Sequence, residues 1–267
     1  MNKIINLIVM AVFVFALNIT AQTAGKNVRL AKKIYQGNDF TEVMLYSYNA
    51  NGTIKKMVQQ QDGKLHASTD NFVFNDKGLL TSYVKTYNLD ISPEKTIITY
   101  DEQNRVSSFE IMKTQNKKTV KHRVYSYSGD TIKVTEPKYL SQTTLYIFNS
   151  DSNIIKIQGL GEPSVAFTNL YNNYDLAKNP QTITGGFIDE KPVSKNNSLA
   201  DSYADAYVIN KKIEYQKIVA TQYKSGGAKI PVQFKNGLPL KETATRFDKA
   251  YNKVMPVSVT TYQYINL

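Results

Sequence analysis

Between residues 40 and 180 one arrangement of apolar and polar positions keeps returning. An aromatic residue closes each apolar stretch just before a polar turn, at Tyr48, Phe74, Tyr100, Tyr127, Phe148 and Tyr174, with spacings of 26, 26, 27, 21 and 26 residues. Two positions before these anchors stand Tyr46, Phe72, Ile98, Tyr125 and Tyr146. Period-two alternation puts such pairs on one face of an extended segment, so each approach to a turn reads as a strand. The turns are NANG (49–52), NDKG (75–78), DEQN (101–104), SGD (128–130) and NSDSN (149–153). Asn, Asp and Gly tolerate the positive φ of tight hairpins, and Asn and Asp also bond their own backbone two residues on.

An aliphatic residue follows each turn, at Ile54, Leu80, Val106, Ile132 and Ile154. A second large apolar residue comes three positions later at Met57, Tyr83, Phe109 and Ile157. Each unit is therefore strand, tight turn, strand, with a looser connection such as QDGKLHASTD (61–70) leading to the next. Repeat periods of this size mark repeat architectures. The pattern predicts an antiparallel meander of about ten strands between residues 40 and 160.

Farther on the pattern weakens. The stretch 172–186 begins like another unit but is interrupted by Pro180, Gly185 and Gly186, and 187–206 is polar and reads as a long loop with one helical turn after Ser198. Alternation resumes in KKIEYQKIVATQYK (211–224), IPVQF (230–234), LPLKETATRF (238–247) and MPVSVTTYQYI (255–265). The expectation is an all-β fold of about 14–16 strands, an antiparallel meander of repeated β-hairpins forming an open curved sheet or a barrel-like one. About 250 residues can form one all-β domain, so 25–267 is read as a single β-repeat domain, with repeats over 40–180 and C-terminal strands over 207–267.

The first 24 residues follow a different rule. Lys3 precedes an apolar run from Ile4 to Leu17 and a small, polar stretch from Asn18 to Ala24, the layout of a cleavable secretory signal, with cleavage after Ala21 or Ala24. This run of fourteen residues falls short of the ~20 that a spanning helix needs, so no transmembrane anchor is expected after cleavage. The expected location is secreted, periplasmic or associated with the outer envelope. With no cysteine in the chain, export brings no disulfide, thiolate metal site or cysteine nucleophile.

The formal charge of +11 is carried almost wholly by lysine, since only Arg29, Arg105, Arg123 and Arg246 are arginines. Scattered lysines keep sheet surfaces soluble and edges unattractive to other strands, whereas nucleic-acid readers lean on arginine forks and clustered patches. Nucleic acid is not an expected partner. A polysaccharide, a peptide or an envelope protein is.

The pattern aromatic, any residue, aromatic, Asn or Asp, two residues, Gly or Asn, aliphatic resembles the YD repeat of Rhs-type secreted proteins. It is also similar to uncharacterised envelope repeat proteins of Gram-negative bacteria in which a Tyr-Asp unit ends in an Asn-Pro step, here Tyr174-Asp175 followed by Asn179-Pro180. The likeness covers 45–180 and, loosely, 207–267. It implies a continuous repeated β-sheet. Only Tyr100-Asp101 and Tyr174-Asp175 keep the literal pair, and the chain is too short for a shell around a toxin.

Catalytic groups are scarce. His66, read as a loop residue, and His122 each stand alone, without a second histidine at metal spacing. No Gly-x-Ser-x-Gly elbow occurs. Asp76, Asp101, Asp130, Asp151 and Asp175 sit in or beside turns, where backbone geometry explains them. Asn149, Asp151 and Asn153 imitate the start of a calcium loop, but Ile154 and Leu160 occupy the positions that need Gly and Glu. No enzyme, metal or cofactor is expected. Ligand contact falls instead to the aromatic row Tyr46, Tyr48, Phe72, Phe74, Tyr100, Tyr125, Tyr127, Tyr146, Phe148 and Tyr174, whose rings either stack in ladders or offer planes to a partner. The expected role is a non-catalytic, exported binding or structural scaffold of the envelope. The alternatives are an integral outer-membrane β-barrel and a hydrolase on a β scaffold.

Overall fold

The computed structural model describes residues 28–89, 91–137, 143–160, 167–184, 186, 190–203, 207–215, 237–248 and 251–267. The leader over 1–24 and the strand 230–234 lie outside the described residues.

The described residues form sixteen strands: β1 (Val28–Gln36), β2 (Thr41–Tyr48), β3 (Ile54–Gln61), β4 (Lys64–Phe74), β5 (Leu80–Tyr87), β6 (Glu94–Tyr100), β7 (Val106–Lys113), β8 (Thr119–Ser128), β9 (Thr131–Thr135), β10 (Thr143–Phe148), β11 (Ile154–Leu160), β12 (Phe167–Lys178), β13 (Asn196–Tyr203), β14 (Tyr207–Tyr215), β15 (Pro239–Asp248) and β16 (Lys253–Asn266). Each pairs antiparallel with its neighbours in chain order, and β16 returns to β1 with Tyr264 opposite Leu30 and Tyr262 opposite Lys33. Of the two forms the alternation allowed, the closed barrel is realised, and closure leaves none of the sixteen described strands at a sheet edge.

Two expectations are corrected. The connection at 61–70 is a two-residue turn, because Asp62 and Gly63 both adopt positive φ (50° and 76°) and place Gln61 opposite Lys64, so His66 lies within β4. The segment 187–206 is not one loop, since Asn196–Tyr203 is β13, paired on both sides. Its polarity hid it: Asp201, 2% exposed, faces the interior and is held by Lys211 of β14 at 2.6 Å. Among the described residues no helical turn follows Ser198, which lies within β13. One 3-10 turn lies earlier, at Pro180–Ile183, where the Asn179 side chain accepts from the Gln181 amide.

The three-residue spacing after the tight turns has a structural cause. Tyr48 faces Ile54 while Ser47 faces Lys56, so Lys55 is an extra residue in the strand. The same shift skips Thr81, Ser107 and Ile155. Such a bulge returns the strand to the same face after three residues instead of two. Leu80 and Phe109 are thereby turned into a shared core with Ile98, Tyr125, Val134, Tyr146 and Ile154. The hairpin β8–β9 has no bulge and uses Ile132 and Val134, two apart. Fully burying one such side chain is worth about 1.5–3 kcal/mol.

The anchor tyrosines clasp the preceding strand. The Tyr48 hydroxyl donates to the Leu30 carbonyl at 2.5 Å, Tyr100 to Leu80 at 2.6 Å, Tyr127 to Val106 at 2.7 Å, and Tyr174 to Ile154. Tyr264 of β16 does the same to Pro239 at 2.6 Å. In the turns below them, the side-chain oxygens of Asn75, Asp101 and Asn149 each accept from backbone amides two and four residues on. These three turn side chains are thus spent on the backbone.

The outer face follows from the same register. Lys56, Lys95, Lys133, Lys156, Lys212 and Lys241 point away from the buried rows and pair across strands with Ser47, Val84, Ser126, Ile147, Thr243 and Glu214. Lysine thus recurs around the outside, opposite hydroxyl, aliphatic and acidic residues.

Candidate functional site

The interior is neither solid nor open. A cavity of about 540 Å³ lies between Met44, Tyr46 and Met57 on β2 and β3, Leu80, Phe109 and Tyr125 on β5, β7 and β8, and Thr184, Pro192 and Val193 of the segment joining β12 to β13. Lys33, Glu42 and Gln59 add polar groups, and the Gln59 amide donates to the Glu42 carboxylate at 2.7 Å. An apolar cavity with a few convergent polar groups is the form that small-molecule sites take.

The joining segment is drawn inward by charge. The Glu190 carboxylate meets Lys121 and Arg123 of β8, each at 3.1 Å, while its carbonyl accepts from the Tyr125 hydroxyl at 2.5 Å. Arg123 also pairs with Glu136 at 2.8 Å. Burial disfavours the Arg123 charge, but the two carboxylates outweigh it and hold the guanidinium above its ordinary value. Burial pushes the Tyr125 hydroxyl well above its ordinary value. At the opposite end of the segment, Ile183 packs with Leu30 and Leu238.

Beyond the segment lies a second cavity of about 310 Å³, between Ile157 and Tyr171 on one side and Lys33, Glu242 and Tyr262 on the other. Its surroundings are polar. Asp175 accepts from the Asn197 amide at 2.9 Å and the Tyr215 hydroxyl at 2.5 Å, and Asp201 accepts from Ser198 at 2.7 Å. Burial raises the Glu242 carboxyl above the usual range, against the opposing pull of Lys211. Asp175 is therefore an interior strut and not a turn residue.

The ten predicted aromatics are brought together inside the barrel. Tyr125 and Tyr146 belong to the main core, Phe72, Phe74, Tyr100, Tyr127 and Phe148 pack against it, and Tyr46 packs against the smaller cluster around Leu30. Tyr48 and Tyr174 are placed by their clasps. Tyr46, Tyr125 and Tyr127 line the larger cavity. The sequence reading missed Lys33, Glu42, Glu190, Lys211 and Glu242. In stretches such as KKIEY polar residues occupy both faces, so alternation gave no sign of which would turn inward. His122 lies opposite Glu110 on the outer face, and the His66 ring meets the edge of Tyr87. Among the described residues no three His, Cys, Asp or Glu side chains converge to hold a metal ion.

No protein-family profile matches the chain, and no curated protein matches it significantly. Among solved structures the chain is similar to a porin-like protein from Bacteroides uniformis, with 9% identity, a TM-score of 0.43 and coverage of 90% of this chain and 96% of that one.

Proposed function

We propose that the chain is a β-barrel of the outer envelope that binds a small, largely apolar molecule in its lumen. The observation that carries this is the cavity of about 540 Å³, walled by the repeat on one side and by the Glu190-anchored segment on the other. An occupied lumen suits a binding role, and the leader-like N-terminus supplies the route out of the cytoplasm. The outer wall favours a barrel standing in water. Outward lysines recur around it, each costing ~2–4 kcal/mol at a bilayer midplane, and β6 and β9 have seven and five residues where a spanning strand needs ~9–11.

A second reading, an integral outer-membrane barrel, is favoured by closure itself, because an even ring of antiparallel strands with both termini at one rim is how such barrels are built. The two readings separate in a carbonate wash of native envelopes, which releases a water-facing barrel and leaves a spanning one in the membrane pellet. Lumenal binding is tested by native mass spectrometry of the protein purified from its envelope, together with uptake of a hydrophobic fluorophore. One bound molecule, displaced in Met57→Trp, is the expected result. A bare mass with no uptake at any concentration removes the proposal.

A further inference from the structure

The smaller cavity carries its own set of unused polar groups. Around it, Asn179, Ser194, Asn196, Asn197 and Ser198 are committed to hydrogen bonds within the protein. Lys211 is committed to Asp201 and Ser198, at 2.6 and 2.9 Å. Four lining side chains are not so committed among the described residues: the Lys33 ammonium, the Glu242 carboxylate, the Tyr262 hydroxyl and the Gln181 amide. Register brings three of them side by side. Lys33 on β1 is directly opposite Tyr262 on β16, and Glu242 on β15 is opposite Thr260, one inward position from Tyr262. They form a diagonal row across three adjacent strands, at the separations over which cross-strand side chains can share a partner.

Lys33, Glu242 and Tyr262 are half-buried and Gln181 is exposed, so their polar groups are open to a partner that enters the cavity. These four face about 310 Å³ of open space, at the small end of the range for ligand cavities. One ammonium and one carboxylate cancel in charge, and a hydroxyl and an amide each both donate and accept. The complementary molecule is neutral, small and able to donate and accept at several points. The Tyr171 and Tyr262 rings add aromatic faces to the same cavity.

We propose that this second cavity is a binding site for a small polyhydroxylated molecule of monosaccharide size, with Glu242 and Lys33 holding adjacent hydroxyls and Tyr262 and Gln181 completing the set. The site shares the wall formed by Lys33, Gln181, Pro192 and Val193 with the apolar cavity, whereas Glu242 and Tyr262 line the second cavity and not the first.

The test is calorimetric titration of the full-length mature protein with glucose, galactose, mannose, N-acetylglucosamine and glycerol, with glycine and butylamine as charged controls. At least one sugar is expected to bind more tightly than either control. Glu242→Gln should weaken it tenfold or more, and Tyr262→Phe, which removes one oxygen from a well-packed ring, about threefold to tenfold. Hydrophobic fluorophore uptake in the larger cavity should be unchanged in both variants. No sugar binding up to tens of millimolar, tighter binding of glycine or butylamine, or equal sugar affinity in both folded variants would each overturn the proposal.

Discussion

The wall from β2 to β11 and the wall from β12 round to β1 face the same lumen with opposite chemistry. On the first, bulged hairpins repeat one solution, and the inward rows meet in a single apolar core with Leu80 at 0% and Phe109 at 2% exposure. On the second, inward positions carry Asp175, Asp201 and Lys211, satisfied by one another and by Asn197, Ser198 and Tyr215, beside the uncommitted Glu242. The first arc is held mainly by shape, with the Arg123 ion pairs and the Gln59–Glu42 bond as its polar exceptions, and the second by a polar network. Cores tolerate rearrangement as long as volume is kept, whereas a buried network fails when a single member is lost. The uncommitted groups lie on the polar arc, beside the network.

Four measurements would break or sharpen that contrast, the strongest first. Both arcs contain tyrosines whose hydroxyls burial holds above their ordinary value, with Tyr100 and Tyr171 at about 12. An unfolded tyrosine ionises near pH 10. The folded protein therefore keeps its protons where the unfolded chain loses them, so stability is intact below pH 10 and is lost as pH rises through 10 towards 12. Absorbance at 295 nm and circular dichroism should change together in one steep transition; tyrosines ionising one by one in an intact barrel would contradict the burial.

Next in size is Phe109→Ala on the apolar arc, expected to cost about 3–5 kcal/mol in urea unfolding, with little dependence on salt. Asp201→Asn on the polar arc strands Lys211 and should cost about 3 kcal/mol. Unlike the core variant, it should be recovered in part by the second substitution Lys211→Met. A core variant and a network variant that responded alike to this rescue would dissolve the distinction. The smallest effect belongs to the clasps. Tyr127→Phe should cost about 1 kcal/mol, and natural Phe74 and Phe148 already omit the hydroxyl. A loss several times larger would mean that the clasp, not the ring, positions the hairpin.

The first arc was legible because its rules are local. Aromatic anchors, Asn and Gly turns and three-residue spacings each reflect a backbone requirement that adjacent residues satisfy, and the spacing at Met57, Tyr83, Phe109 and Ile157 corresponds to four bulges. The second arc was not legible, because its inward residues are polar and make sense only with partners far along the chain. Asp175 is held by Asn197 and by Tyr215, 40 residues on, and β13 looked like a loop for want of apolar alternation. Glu190 meets Lys121 across 69 residues. Closure was equally hidden, since no local pattern states that Lys33 will lie beside Tyr262.

That last pairing joins the earliest strand to the latest. Every other rung of the barrel can form as its two strands leave the synthetic or export machinery, but the β1–β16 seam must wait until the whole chain is present. Until then a growing sheet shows two open edges, each a template for another molecule. A chain cut short before Lys253 would keep nearly all its hairpins and yet be trapped in that state, so the final strand acts as the protein's own protection against self-association.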